Sequence, residues 1–263
     1  MLKITDLVKR YGSGDPVLKN LDLTIEGESV VSIIGSSGAG KSTLLRCINR
    51  LVEPTSGTIE LNGTDLTRLR GKNLRAARRK IGMVFQGFNL VDRLTVMENV
   101  QSGRLGYIST WSAITRRYPK QDIRRAYELM ERVGIAHYAD TRADQLSGGE
   151  RQRVWLAMLL AQDAPVLLLD EPTSALDVGH ERDILQLVAN LKDQNNLTVI
   201  AVLHDIDMVG RFADHIIALR AGKTCWRGTS GDFMRGETLR DIFQTDIDVI
   251  RLPGSDRAVS YVA

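Results

Sequence analysis

The nine residues from Gly35 to Thr43 read GSSGAGKST. They satisfy G-x-x-x-x-G-K-[ST], the spacing of a phosphate-binding loop. Glycines allow tight turns in which successive backbone N–H groups point at phosphate oxygens. Gly35, Ser36, Ser37, Gly38, Ala39 and Gly40 would form that cradle. A helix starting near Lys41 would add its positive dipole end. Lys41 is placed to neutralise β- and γ-phosphates, and Ser42 to offer its hydroxyl to Mg²⁺, with Thr43 beside it.

A second set of residues supplies what phosphate chemistry needs. PVLLLDEP, from Pro165 to Pro172, is an apolar strand ending in two acids. Asp170 at the strand end can hold the Mg²⁺ shell, and Glu171 can activate a water as general base. Gln86 follows the run GMVF and could reach the metal or the water. His204 ends TVIAVLH, where an imidazole could contact a γ-phosphate. Tyr11 could stack on an adenine. Taken singly, Gln86, His204 and Tyr11 read as surface or structural residues; the phosphate loop changes their weight. LSGGE, from Leu146 to Glu150, is a second glycine turn. Ser147, Gly148 and Gly149 could grip γ-phosphate oxygens, with the helix from Glu150 adding its dipole. The plain alternative is a helix start with Ser147 as N-cap.

These residues need elements to position them. SVVSIIG is a nearly continuous apolar run, as expected of a strand buried on both faces. KSTLLRCINRL follows with Leu44, Leu45, Ile48 and Leu51 at helical spacing. LKITDLVK, VLKNLDLTI, GTIELNG and KIGMVFQ read as further strands. From about Phe88 to Gln162 the pattern is helical. There QDIRRAYELMERVG sets Ile123, Ala126, Tyr127, Met130 and Val133 on one face, with Gly134 as C-cap. Strands then return as APVLLLD and LTVIAVLH, separated by the helix HERDILQLVANLKDQ. HIIALRAGKTCWRG reads as a closing hairpin.

Composition narrows the class. The chain has 263 residues, 25% charged and 43% hydrophobic, which is ordinary for a globular protein. A formal net charge of +3 is too weak to imply nucleic acid. RLRGKNLRAARRK, from Arg68 to Lys80, reads as a solvated basic helix face, with lipid headgroups or a partner as the alternative. Cys47 and Cys225 form no CxxC pair, which fits a reducing compartment, and Cys47 reads as a small core residue. No signal segment opens the sequence, and no apolar run approaches the ~18 residues of a spanning helix. Membrane work would therefore need other chains.

The ordered set GSSGAGKST, Gln86, LSGGE, VLLLDE, SALD and His204 resembles the ATP-binding subunit of an ABC transporter, over roughly residues 1–245. The resemblance implies an α/β fold: a P-loop NTPase (RecA-like) core, an antiparallel β subdomain and an inserted α-helical subdomain. Residues 1–245 would form the ATPase domain, with the helical insertion at 87–162 and a C-terminal tail at 246–263. It implies that Tyr11 stacks on adenine, that Gln86 links Mg²⁺ to the membrane partner, and that Ser174–Asp177 are the D-loop. It also implies that Ser147–Gly149 complete the site of a facing copy. ATP and Mg²⁺ are then the ligands. The partners are a second ATPase copy, two transmembrane permease subunits and a periplasmic or lipid-anchored solute-binding protein. The location is the cytoplasmic face of the inner membrane. A DNA-repair ABC ATPase would carry a much longer insertion, and a translation factor two cassettes. CINRLVEPTSGTI, FNLVDRLTVMENV and SGRLGYISTW are similar to ATPases of phosphonate importers. VWLAMLLAQ departs from the alanine-rich run of a phosphonate-type chain, and LDVGHERDILQLV and AVLHDIDMVGRFADHIIALRAG are closer to the ATPases of ferric-siderophore or haem importers, the alternative substrate class.

Overall fold

Strands β1 (Leu2–Lys9) and β2 (Leu18–Ile25) alternate buried and open positions and pair antiparallel. The computed structural model describes residues 1–84, 90–172, 178–251 and 258–262. β3 (Val30–Ile34) is buried at every position, as a strand covered on both faces must be. Helix α1 (Lys41–Ile48) follows the glycine-rich loop. It buries Leu44, Leu45, Cys47 and Ile48, but Leu51 is exposed. The expected helical face ends early because Asn49 caps α1 and Arg50 turns the chain with φ 55°. β4 (Ser56–Leu61) and β5 (Thr64–Asp65) complete a four-stranded sheet of order β2-β1-β4-β5.

The basic stretch forms α2 (Gly71–Arg78), which buries no residue, and β6 (Ile81–Val84) follows. Among the described residues, four α-helices then intervene: α3 (Val96–Ser102), α4 (Thr110–Ile114), α5 (Lys120–Arg132) and α6 (Gly148–Ala161). On α5 the inward face is Asp122, Ala126, Leu129 and Met130, whereas Ile123 and Tyr127 are exposed. The expected face holds at Ala126, Met130 and Val133 but not at Ile123 and Tyr127; Leu129 and Asp122 are buried instead, with Arg104 Nε 3.1 Å from the Asp122 carboxylate. Gly134 takes the left-handed φ of 76° just past the helix, as its C-cap role requires.

The chain returns through β7 (Val166–Asp170), α7 (Val178–Asn195), β8 (Thr198–Val202), α8 (Ile206–Phe212) and the hairpin β9 (His215–Arg220) with β10 (Lys223–Thr229). Short helices α9 (Ser230–Phe233) and α10 (Gly236–Phe243) lead to a last hairpin, β11 (Ile247–Arg251) with β12 (Ala258–Val262). Strands β9, β3, β8, β7 and β6 are parallel neighbours in the order β10-β9-β3-β8-β7-β6, with β10 antiparallel at the edge.

The core splits across this sheet with the strand period of two. Leu167, Leu169, Val199, Ala201, Ile216 and Ala218 join one apolar cluster, with α3, α5, α6 and α7. Val166, Leu168, Ile200, Val202, Ile217 and Leu219 join the other, with α1 and the antiparallel sheet. Cys47 lies wholly inside the second cluster, and burial pushes its thiol up to about 12. Among the described residues no helix is long and apolar enough to cross a membrane.

Candidate nucleotide site

The register of the parallel strands brings three chain segments to one edge. Ile33 lies beside Val202, and Val202 beside Asp170. The glycine loop therefore leaves β3 next to His204, just past β8, and Glu171, just past β7. Ligands in open α/β sheets bind at such carboxyl ends. Gly35 has φ 142°, and a Cβ there would stand 2.2 Å from the Leu219 carbonyl oxygen. Gly40 caps α1 with φ 100°, and its Cβ would stand 2.7 Å from Leu18. Both positions accept only glycine.

Lys41 is 6% exposed, and its Nζ donates to the carbonyls of Gly35 (2.8 Å) and Ser36 (3.0 Å). Burial holds its pKa below the ordinary lysine value, against the pull of Glu171 and Asp170. A buried ammonium resting on neutral carbonyls suits an arriving phosphate. The Ser42 hydroxyl donates to Asp170 Oδ1 at 2.8 Å, and Asp170 is 2% exposed. A hydroxyl and a carboxylate are hard oxygen donors. Magnesium takes one or two protein oxygens and completes its shell with water and substrate phosphates, so this pair fits it. The described residues hold no cluster of three or more His, Cys, Asp or Glu suited to a metal.

Glu171 adopts φ 53°, uncommon outside glycine and characteristic of constrained functional positions. Its Oε1 lies 2.7 Å from His204 Nε2. Tyr11 is half exposed in the loop joining β1 and β2, with Lys9 Nζ 4.7 Å from its ring centre. Val17 and Leu18, which end that loop, pack against Gly40. Gln86 and Ser174–Asp177 lie outside the described residues.

The second glycine turn is built as a helix cap. Ser147 Oγ accepts from Glu150 N, and the Glu150 carboxylate accepts from Ser147 N at 2.7 Å, a capping box. The helix begins at Gly148, two residues before Glu150. Hydrogen bonds from Tyr138 and then Ser147 hold the Glu150 carboxyl below the usual range. The bonds of Ser147 stay within its own turn, so Gly148 and Gly149 are presented at the tip of α6.

Two residues were missed in the sequence. Arg46 Nη2 lies 3.8 Å from Asp170 Oδ2. Its i+4 spacing from Ser42 on α1 was the available signal. Gln152 is fully buried and donates to the Pro172 carbonyl at 2.8 Å, tying α6 to the segment after Glu171. No local pattern marks it.

Residues 18–174 match the family model for ABC transporters. This chain belongs to the ABC transporter family. It is 60% identical over 258 residues to a phosphonates import ATP-binding protein of Ruegeria sp. (strain TM1040), covering 98% of each chain. A phosphonates import ATP-binding protein of Bordetella parapertussis is 52% identical over 231 residues, 86% of this chain and 90% of that one. An ATP-binding cassette solved as a post-hydrolysis dimer with ADP and Pi is 36% identical, with TM-score 0.76 over 88% of this chain and 99% of its own. A metal-chelate type ABC transporter in an inward-facing conformation has TM-score 0.83 over 100% of this chain and 96% of that one; at 24% identity it bears on the fold alone. The Ruegeria relative spans the second half as well, where the sequence pattern pointed toward iron-chelate importers.

In this ABC chain a cleft of about 770 Å³ opens between α2 and the inserted helices. Lys72, Arg75 and Arg79 line it on one side, and Leu105, Tyr107 and Met158 on the other. The segment Gly103-Arg104-Leu105-Gly106 builds its wall. A Cβ on Gly103 would stand 2.2 Å from the Met158 carbonyl oxygen, so α3 meets α6 backbone to backbone. Arg104 pairs with Asp122 and Asp163, and its guanidinium lies 4.2 Å from the Tyr107 ring centre.

Lys41 supplies a pH test. Its folded pKa lies below 10.5, so between the two values the unfolded chain binds the extra proton and stability rises with pH. A bound triphosphate restores the charge. ATP binding should therefore take up protons in the alkaline window below 10.5, measured by calorimetry in two buffers of different ionisation enthalpy. Lys41→Ala should abolish that uptake.

Proposed function

We propose that this chain is the ATP-hydrolysing subunit of an importer for phosphonates or a related phosphorus oxyanion. The observation that carries the reading is the 60% identity with a phosphonates import ATP-binding protein across 98% of both chains. The convergence of Lys41, Ser42, Asp170, Glu171 and His204 at one sheet edge supports hydrolysis. Residues 1–245 form the ATPase domain, with the helical insertion at 87–162 and the tail at 246–263.

The phosphates of ATP sit on Gly35–Thr43, with Tyr11 beside the adenine. Lys41 exchanges its carbonyl partners for β- and γ-oxygens. Ser42, Asp170 and Gln86 would hold Mg²⁺, which when bound would supply charge neutralisation for the phosphates. Glu171 takes a proton from the attacking water at its carboxylate. His204 holds that carboxylate in place and stabilises the γ-phosphate. Cleavage then depends on positioning and charge stabilisation. Two copies pair, and Ser147, Gly148 and Gly149 of each close the site of the other. The dimeric ADP- and Pi-bound cassette supports this arrangement.

The pair works with two permease subunits and a periplasmic or lipid-anchored solute-binding protein, at the cytoplasmic face of the inner membrane. The cleft between α2 and α6 fits the permease. Its apolar wall and cationic rim suit an amphipathic segment bearing acidic residues.

Glu171→Gln should lower ATP turnover by about 10² or more while ATP still binds, measured by phosphate release and equilibrium binding. Near-normal turnover would remove Glu171 from the base role. In the reconstituted complex, a phosphonate-loaded binding protein should stimulate hydrolysis. Stimulation by a ferric-siderophore receptor instead would overturn the substrate assignment. Arg75→Glu with Arg79→Glu should weaken co-purification with the permease and leave ATP binding unchanged.

A further inference from the structure

The last hairpin of the chain reaches back to the helix that follows His204. Ser260 on β12 donates twice to one oxygen, Asp207 Oδ1: from its backbone N–H at 2.9 Å and from its hydroxyl at 3.0 Å. Asp207 lies in the first turn of α8, three residues beyond His204. Ser260 stands opposite Val249 in the hairpin, so an N–H that reaches Asp207 points away from β11. The hairpin is thereby docked on α8 by its outer edge.

The other side of the hairpin is fixed to the body. Ile247 on β11 is buried in the main core cluster. Arg240 on α10 donates to the Ile247 carbonyl at 3.1 Å and pairs with Asp248. The inner face of α8 is fixed as well. Met208 and Val209 are buried, and a Cβ on Gly210 would meet Met234 at 2.6 Å. Its start is capped by Asp205, which accepts from Met208 N at 2.8 Å. The two hydrogen bonds from Ser260 hold the remaining outward side of that first turn. The acceptor is charged, so these bonds are of the stronger kind.

We propose that Asp207 is a positioning residue for His204, with the C-terminal hairpin acting as a latch. Through Ser260 it fixes the first turn of α8 and so sets the imidazole 2.7 Å from the Glu171 carboxylate. This rests on the assignment of Glu171 and His204 to hydrolysis. An acid in the first turn also steadies a helix through its dipole, and the test must separate the two roles.

ATPase kinetics of the full chain with MgATP, and binding of a fluorescent ATP analogue, are compared for wild type, Asp207→Ala, Asp207→Asn, Ser260→Pro and Glu171→Gln. Ser260→Pro removes the N–H and the hydroxyl together and leaves α8 untouched, and an edge strand tolerates proline where its N–H faces outward. The latch requires kcat to fall about tenfold in Asp207→Ala and Ser260→Pro, with KM and analogue affinity within about twofold, the signature of a misplaced catalytic group. Asp207→Asn keeps the acceptor oxygen and should keep kcat within about twofold of wild type. Unchanged kcat in Ser260→Pro, or an equal loss in Asp207→Asn, would overturn the latch. If Asp207→Ala does not fold, Ser260→Pro decides alone. Glu171→Gln separates the levels: normal turnover there sinks the underlying site, whereas an inactive Glu171→Gln beside a fully active Ser260→Pro sinks only the latch.

Discussion

Strands β3, β8 and β7 lie side by side with Ile33 beside Val202 and Val202 beside Asp170. That parallel register is what the nucleotide end of the molecule depends on. A strand displaced by one residue would turn its apolar side chains to the other face of the sheet. Because these strands are apolar on both faces, the register is held by how their side chains fit into the two close-packed clusters rather than by an apolar–polar alternation. The hydrophobic core thus fixes the relative height of Gly35, Glu171 and His204, though none of these residues belongs to it.

At that edge the polar groups are already matched. Lys41 rests on two carbonyls, Ser42 and Arg46 on Asp170, and His204 on Glu171. An unmatched buried charge would cost far more than such bonds gain. Ligand binding here is therefore an exchange of partners within a set of preplaced groups. The backbone strain at Glu171 belongs to the same economy of positions, because a left-handed residue at a strand end turns the chain sharply and holds its carboxylate in view of the loop.

Much of this was legible in the sequence because it is encoded locally. The glycines of GSSGAGKST, the acids closing VLLLDE and the continuous apolar runs each carry their physical reason within a few residues. The hairpin β9–β10 was equally plain, since a turn with Gly222 separates two strand-like runs, and Ala221 and Gly222 take the positive φ of a tight turn there. What stayed hidden depends on distant partners. Periodicity put Ile123 and Tyr127 inside, whereas α5 buries Leu129 and an Asp122 paired with the distant Arg104, a partner that local spacing does not reveal. Gln152 has no motif, because its meaning is the Pro172 carbonyl twenty residues on. The tail could not be read, because its anchor, Asp207, lies 53 residues before Ser260.

Helix α6 has 14 residues and is about 21 Å long. One end is the Ser147 turn, and the other, with Met158 and Gln162, lines the cleft beside α2. It contains no glycine or proline between Glu150 and Ala161, and Gly103 lets α3 lie flush against it. Such a rod has no joint at which to lose displacement. The glycine turn at one tip and the wall of the cleft at the other are thus carried by a single unbroken element.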